Sequence, residues 1–526
     1  MSYEKKPDRS QVFLLPPSLE DWVPEDHPAR FIDAFVESLD LPSLGFEVGH
    51  APTGRPRYSA QLLLSVYLYC YFDRIRSLRR MERACIENVA VMWLTGNEHP
   101  DHNTLWRFFR DNKEAIRKVL KQSVKVAADA SLIGMVLHAV DGTKIEAQAS
   151  SKTAYYREKL NKALDRADAS ITEMEELLEA SQDAGIDGYR LPEELADAKK
   201  CREKIRKSFA ELDEAGANSL QPSEPDARMM MCDGKKAFSY NAQAVTDDKA
   251  GIIVAGDVVT QETDHGLLAS MIDTVKETAG DVAETTLADK GYSADKDLAQ
   301  AEEKGYEVLV NLGKNVDPTE GDKPFHTSRF VYDSEEDCCI CPLGNKLQFQ
   351  STKKARRGDG RLRVYHCAGY KDCPKRWQCS SNKRGRTIEL SEHHEAVARQ
   401  RAKQKDENAR AKLARRGVIV EPTFALAKHA LEFRRWSYRD LESNRTQWSL
   451  ICSTINIHKL YTAWLKGNGG PAKTAPAMAF SRLFRRLFLS VVVARAFVRQ
   501  LGTQPLCRPR IGNLGVSTFT ADSFPA

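Results

Sequence analysis

Three acidic residues, far apart along the chain, each stand where an apolar stretch gives way to a distinctive polar word, and this constrains the fold more than any bulk property does. Asp141 ends Met135-Val-Leu-His-Ala-Val-Asp141 and opens Asp141-Gly-Thr-Lys144; Asp289 closes Thr285-Thr-Leu-Ala-Asp289 and opens Asp289-Lys-Gly-Tyr292; Glu421 follows Val418-Ile-Val420 and begins Glu421-Pro-Thr-Phe-Ala-Leu-Ala-Lys428. A carboxylate at the end of a buried strand is held rigidly at a sheet rim. Two strands and one helix can therefore converge three carboxylates on one site. Such hard oxygen ligands suit two Mg²⁺ ions, with Mn²⁺ as a substitute, roughly 3.5–4 Å apart and able to clamp an in-line displacement at phosphorus.

The elements around these residues follow from periodicity. Residues from about Pro28 to Asn112 carry helical spacing, with Gln61-Leu-Leu-Leu-Ser-Val-Tyr-Leu-Tyr69 as a buried helix and Asp101 as an N-cap before a helix bearing Trp106, Arg107 and Arg110. These short basic helices resemble helix-turn-helix geometry, against the plainer reading of a structural bundle. Leu160, Leu164, Ala167, Ile171, Met174 and Leu178, then Leu195, Ala198, Cys201, Ile205, Phe209 and Leu212, form two stripes that an antiparallel α-hairpin would bury, with Gly185 and Gly188 in its connection and Pro192 in the first turn of the second helix. Ala237 to Val245 and Gly251 to Val259 read as strands around the turn Asp247-Asp-Lys-Ala-Gly251. Gly266 to Ala279 reads as a helix, and Tyr306 to Asn311 as a further strand. Asp264 reads as the N-cap of the helix through Met271, His138 as a core histidine, and Asp247, Asp248 and Asp257 as turn or surface residues.

Composition bounds the class. With 526 residues, 42% hydrophobic and 29% charged, the chain can bury two or three cores. A net charge of +5 is too small to argue for nucleic acid, so that argument rests on local runs: Arg74 to Arg80, Lys353-Lys-Ala-Arg-Arg357, Arg410 to Arg416 and Arg434-Arg435. Met1 to Arg9 is polar with no apolar stretch behind it, unlike a secretory leader, and Leu487 to Ala494 is far short of the roughly 20 residues of a membrane span. The expected compartment is the cytoplasm, with no membrane partner.

These words occur in order with others: Phe13-Leu-Leu-Pro16, Val23-Pro-Glu-Asp-His-Pro-Ala-Arg30, Gly54-Arg-Pro-Arg-Tyr58, Arg76-Ser-Leu-Arg-Arg80, Pro100-Asp-His-Asn-Thr-Leu-Trp-Arg-Phe108 and Ser239-Tyr-Asn-Ala-Gln-Ala-Val245. Together they resemble the bacterial insertion-sequence transposases of the DDE class, over roughly residues 13 to 465. The resemblance implies an α/β fold with an RNase H-like mixed-sheet catalytic domain, and the order of strands and helices matches it. The expected blocks are 1–130, an all-helical N-terminal domain; 131–312, the first part of the catalytic domain with a helical-hairpin insertion at about 155–215; 313–405, a Cys-rich insertion; 406–466, the catalytic helix region; and 467–526, a basic helix and tail. It also implies Asp141, Asp289 and Glu421 as catalytic metal ligands, nicking of double-stranded DNA at terminal inverted repeats, attack of the freed 3′-hydroxyl on target DNA, and a homo-oligomer on paired ends. The alternative is a zinc-containing DNA-binding regulator or an inactive domesticated relative.

Twelve cysteines in a reducing compartment argue for thiols or metal ligands. Cys341, Cys367, Cys373 and Cys379 can hold a structural Zn²⁺, with Cys338, Cys339 and His366 as substitutes, against the alternative of unligated thiols; the family pattern also carries a cysteine cluster here. Glu421 and Lys428 are seven residues apart, which on an uninterrupted helix places them on one face. That spacing alone would fit a surface coincidence, but the resemblance implies a basic residue here, so Lys428 is expected at DNA; Arg415 and Arg416, just before Glu421, and Lys144, beside Asp141, are expected to contact its backbone.

Overall fold

The computed structural model describes residues 18–47, 57–183, 191–313, 324–354 and 361–469. The stretches around Gly185 and Gly188, and the segment from 470 to the end with its expected basic helix, lie outside the described residues. The N-terminal part is helical: α1 (Leu19–Trp22), α2 (Pro28–Glu37), α3 (Leu41–Leu44), α4 (Ala60–Phe72), α5 (Leu78–Glu87), α6 (Val89–Thr95), α7 (His102–Asp111) and α8 (Lys113–Asp129). Side chains cap these helices where the sequence provides them. Ser59 Oγ accepts from Leu62 N–H and Asp101 Oδ1 from Thr104 N–H, satisfying first-turn donors that would otherwise have no partner.

A mixed sheet follows, built from β1 (Leu137–Glu146), β4 (Arg228–Cys232), β5 (Lys235–Asp247), β6 (Ile253–Val259), β7 (Thr285–Ala288) and β8 (Val308–Val310). The order is β4-β5-β1-β7-β8, with β6 also paired to β5. The β4, β5, β6 and β1 pairings are antiparallel, whereas β1, β7 and β8 run parallel. Strand β5 is buried along nearly its whole length because neighbours cover both of its edges. Between β1 and β4, two-residue strands β2 (Tyr155–Tyr156) and β3 (Ser219–Leu220) pair at the base of a helical hairpin, α9 (Arg157–Asp183) and α10 (Leu191–Glu214). Ile171 and Leu212 are buried in it, and Lys199–Glu175 (2.7 Å) and Arg202–Asp168 (3.6 Å) cross between its helices.

Helices α11 (Leu268–Ala279) and α12 (Asp295–Glu303) precede a second sheet, the antiparallel meander of β9 (Val331–Asp333), β10 (Cys338–Ile340), β11 (Lys346–Lys354), β12 (Arg361–His366) and β13 (Thr387–Ser391), with the one-turn helix α13 (Arg376–Cys379) before its last strand. It has its own small core of Cys339, Leu347, Tyr365, Cys367 and Ile388. The chain returns through α14 (His394–Lys403), α15 (Glu407–Ala414), α16 (Arg416–Ala425), a π turn over Leu426–Ala430, and the long α17 (Leu441–Gly469), which passes the linker-like Gly467.

The change from helices to sheet near residue 130 marks no break in the core. Helices α2, α4, α7 and α8 share one apolar cluster with β5, β6, α11 and α17. Polar bonds seal the same junction: Gln447 Nε2 donates to Tyr71 Oη (3.0 Å), and Asn456 Nδ2 to Ser123 Oγ (3.0 Å) and Ile253 O (2.9 Å). Burying these amides without partners would cost about 1–3 kcal/mol each, so they pin α17 in one register.

Candidate active site

Strand β1 pairs with β7 only over Leu137–Ala139, opposite Thr285–Leu287. Continuing that parallel register by two residues sets Asp141 beside Asp289, the residue after β7 ends. Both side chains then leave the same face at the point where the sheet opens. Asp141 does not end its strand, as the apolar run suggested; β1 continues to Glu146 because β5 still covers its other edge.

The Asp141 carboxylate accepts from Gly142 N–H (2.8 Å) and from Arg416 Nη1 (2.8 Å), with both partners of that ion pair about one-fifth exposed. Burial pushes its pKa above the ordinary carboxylate value; Arg416 and the Gly142 N–H oppose the shift, and Asp289 adds to it. Asp289 caps the short turn that follows it, accepting from Gly291 N–H (2.5 Å).

A third carboxylate joins this pair, and it is Asp264. The expected N-cap role is overturned, since the first N–H groups of α11, at Leu268 and Ala269, are taken by buried Asp297 at 2.9 and 3.2 Å. Asp264 Oδ1 instead accepts from Lys144 Nζ (3.1 Å), Asn241 Nδ2 (2.7 Å) and Gln243 Nε2 (2.9 Å). Gln243 Oε1 in turn accepts from the buried Tyr292 hydroxyl. Burial raises that phenol far above its usual range, and the charges of Asp264, Asp141 and Asp289 raise it further. All three carboxylates thus surround one buried tyrosine.

The glycines of the two aspartate words are explained by this crowding. A Cβ on Gly142 would lie 2.1 Å from Gln243 Nε2, 2.8 Å from Asn241 Oδ1 and 2.9 Å from Asp264 Oδ1. A Cβ on Gly291 would lie 2.9 Å from Asp289 Oδ1 and 3.1 Å from Asp264 Oδ2. Asn241 and Gln243 are fully buried on the central strand, two residues apart and so on one face, which is the reason for polar side chains in an otherwise apolar strand.

Glu421 lies on α16, which docks on β1 and β7 through Ile419 and Val420 against Leu137, Ala139 and Leu287. Arg416, five residues earlier on this helix, reaches Asp141; five residues of α-helix turn the chain by about 140° beyond one full turn, and Glu421 is exposed. Among the described residues no hydrogen bond or ion pair joins Glu421 to either aspartate. The expected single helical face for Glu421 and Lys428 is interrupted, because a π turn begins at Leu426 and widens the helix. Lys428 Nζ pairs with Asp233 (2.8 Å) and Arg415 Nη2 with Asp248 (3.2 Å). All four cations expected at DNA, Lys144, Arg415, Arg416 and Lys428, are held by carboxylates in this DNA-free chain.

His138 is buried as expected. Asp247 is also buried, contrary to a surface reading, and accepts from Gly134, Met135 and Lys249 N–H at 2.9–3.1 Å with His138 Nε2 at 3.5 Å. Asp257 is half-buried on β6 and pairs with Arg445 at 3.1 Å. Both strands had to be placed against their neighbours before these partners existed.

In the second sheet, Cys341, Cys367, Cys373 and Cys379 gather at one end. Burial pushes the Cys367 and Cys379 thiols up, and proximity of the other cysteines adds to both shifts. Cys341 Sγ accepts from Leu343 N–H (3.4 Å), and Cys367 Sγ accepts from Gly369 N–H, which only partly offsets the upward shift of that thiol. The candidate substitutes point elsewhere: Cys339 is in the sheet core, Cys338 faces Glu336, and His366 Nε2 meets Arg384 O. Among the described residues, Asp333, Glu336 and Cys338 have ligand atoms all within 4.8 Å of one another, a spacing the four gathered sulfurs do not meet. Glu336 there already carries the Lys346 ammonium, so its charge is matched without a metal.

With this geometry in view, comparison with known families is specific. Residues 340–461 match the family described as transposase DDE domain, and residues 17–111 match the one described as transposase domain (DUF772). The two matches, at opposite ends of the chain, support an insertion-sequence DDE transposase. Glu421 and the four gathered cysteines fall within the first match; Asp141, Asp264 and Asp289 lie outside both. No curated protein matches the chain. No described helix is long and apolar enough to cross a membrane.

Proposed function

We propose that the chain cleaves double-stranded DNA at the terminal inverted repeats of an insertion sequence and transfers the freed 3′-hydroxyl into target DNA, on an RNase H-like domain interrupted by the helical hairpin and the Cys-rich sheet. The observation that carries this reading is the register that sets Asp141 beside Asp289, with Asp264 fixed against both by Lys144, Asn241 and Gln243. Half-buried carboxylate oxygens converging at one sheet rim are the donor set a hard divalent cation takes, so the residues fit Mg²⁺ or Mn²⁺. Asp141 and Asp289 would hold the metal from the sheet, and Glu421, exposed on α16 and joined to neither in the DNA-free chain, would complete the ligand set when DNA binds; the metal when bound would activate the attacking oxygen and stabilise the leaving one.

The chain's own residues supply the rest. Asp264 positions Lys144, and the Asn241–Gln243–Tyr292 relay fixes Asp264. Arg416 and Lys144 balance the carboxylate charge in the DNA-free chain and turn to phosphate oxygens when DNA arrives, joined by Arg415 and Lys428 from their exchangeable pairs. The basic helices α5 and α7 would hold the repeat sequence, and two copies of the chain on paired ends would complete the assembly. The four cysteines supply the soft sulfur donors a structural Zn²⁺ takes, and binding it would draw their sulfurs closer than they stand in this structure.

The test is cleavage of a duplex carrying the element's own terminal repeats, with Mg²⁺ or Mn²⁺. Asp141→Asn, Asp289→Asn and Glu421→Gln are each expected to abolish cleavage and to leave end binding within about twofold, because metal ligands act on chemistry more than on ground-state affinity. Full cleavage by any one variant removes that residue from the set. Binding with no metal-dependent cleavage by the wild-type chain would favour a zinc-containing regulator or a domesticated relative.

A further inference from the structure

One stretch of the second sheet is charged out of proportion to the rest of the molecule. Residues 361–386 contain eight basic side chains (Arg361, Arg363, Lys371, Lys375, Arg376, Lys383, Arg384 and Arg386) and one acidic, Asp372, for a net +7. The whole chain carries +5, so the remainder is net −2. In the middle of this stretch Trp377 is 72% exposed, on the single turn α13 between Cys373 and Cys379. The Arg376 guanidinium lies 4.6 Å from the Trp377 ring centre and 5.0 Å from that of Tyr370, which covers part of the indole and leaves the rest open. Lys375, Lys383 and Arg384 are exposed around it.

We propose that this cysteine-flanked turn is a platform for single-stranded DNA, with Trp377 stacking on an unpaired base and Lys375, Lys383 and Arg384 holding its backbone. The exposed indole offers a flat, open π face set among cations, a combination one isolated surface hydrophobe does not give. An apolar protein partner would have to desolvate the surrounding cations, which costs more than one ring returns. A polyanion with accessible π faces meets both features at once, through counterion release along the backbone and base stacking on the ring. In an intact duplex the base faces are buried, so the indole selects unpaired or splayed bases. This proposal rests on the transposase reading, in which a nicked DNA end can fray and present such bases.

The test uses the full chain with labelled oligo-dT, and a blunt duplex for comparison. Trp377→Ala is expected to weaken oligo-dT binding about tenfold or more and to leave blunt-duplex binding within about twofold, with the salt dependence unchanged. Trp377→Phe, which keeps a stacking ring, is expected to recover most of the loss. The Lys375→Ala/Lys383→Ala/Arg384→Ala variant is expected to flatten the salt dependence by about two units of slope, at roughly 0.7 per single-strand phosphate contact. Wild-type oligo-dT affinity in Trp377→Ala, equal loss on both DNAs, or failure of the Phe variant to recover binding would each overturn the proposal. If the wild-type chain binds oligo-dT through Trp377 and cuts no DNA under any metal condition, the transposase reading falls and the platform stands.

Discussion

The same substitution at two glycines should have opposite effects, and the structure sets both. In Gly142→Ala the new methyl would sit 2.1 Å from Gln243 Nε2. Ordinary contact begins near 3.5 Å, so the amide would have to retreat by about 1.4 Å. Gln243 is fully buried and its amide bonds Asp264 and Asn241, so retreat breaks those bonds and the one from Tyr292 together. Overpacking costs about 1–3 kcal/mol and an unpaired buried polar group about 1–3 more, for a total on the order of 2–6 kcal/mol. In Gly417→Ala the methyl would meet Glu421 Oε1 at 2.7 Å, but that is the far end of an exposed, flexible side chain which can move aside. Gly417 stands in the first turn of α16, where alanine gains less over glycine than in a helix interior, so the replacement should stabilise the helix by about 0.5 kcal/mol or less. Urea midpoints of the two variants and wild type read the signs directly, compared as midpoints because several cores need not unfold together. Cleavage assays should show Gly142→Ala inactive even where it remains folded. A Gly142→Ala chain with wild-type midpoint and activity would refute the packing argument and the relay built on it.

Metal content gives a second check: purified without chelator, the chain should carry about one Zn²⁺, and Cys367→Ser with Cys373→Ser should lose it by elemental analysis. Lys428→Ala and Arg415→Ala should each lower the salt slope of end binding by about one unit, and Asp233→Asn, which releases Lys428 from its partner, should strengthen binding; slopes equal to wild type would assign these side chains to a solvated face. Asp247 is held below the ordinary carboxylate value, since although burial raises its pKa, bonds from His138 and from the Met135, Gly134 and Lys249 N–H groups lower it more. A depressed folded value contributes stability that is whole above about pH 4 and is lost as pH falls through the folded pKa. Asp247→Asn should therefore be less stable at neutral pH and show a flatter acid limb, and parallel stability–pH curves would contradict this.

Much of the molecule was legible in local pattern. Apolar runs bounded by turn residues located β1, β5, β6 and β7, heptad-like spacing located α9 and α10, and the aspartate words with their glycines pointed to the two residues that the β1–β7 register brings together. These features are set by periodicity and by neighbours a few residues apart, and such signals survive in a linear string. Tertiary contacts decided the rest. Asp264 follows a strand and precedes a helix, the local signature of a cap, and only packing showed that Asp297, 29 residues beyond Leu268, had taken that work and left Asp264 to Lys144, 120 residues before it. Arg416 finds Asp141 across 275 residues, and Asp247 becomes a buried anchor only once Gly134 and Met135 lie against it. The π turn at Leu426 likewise ended the simple i,i+7 alignment of Glu421 with Lys428. A charged side chain's role depends on which partner reaches it after its solvent is removed, and that is a property of the folded arrangement, whereas the strands and helices that carry it are written in residue spacing.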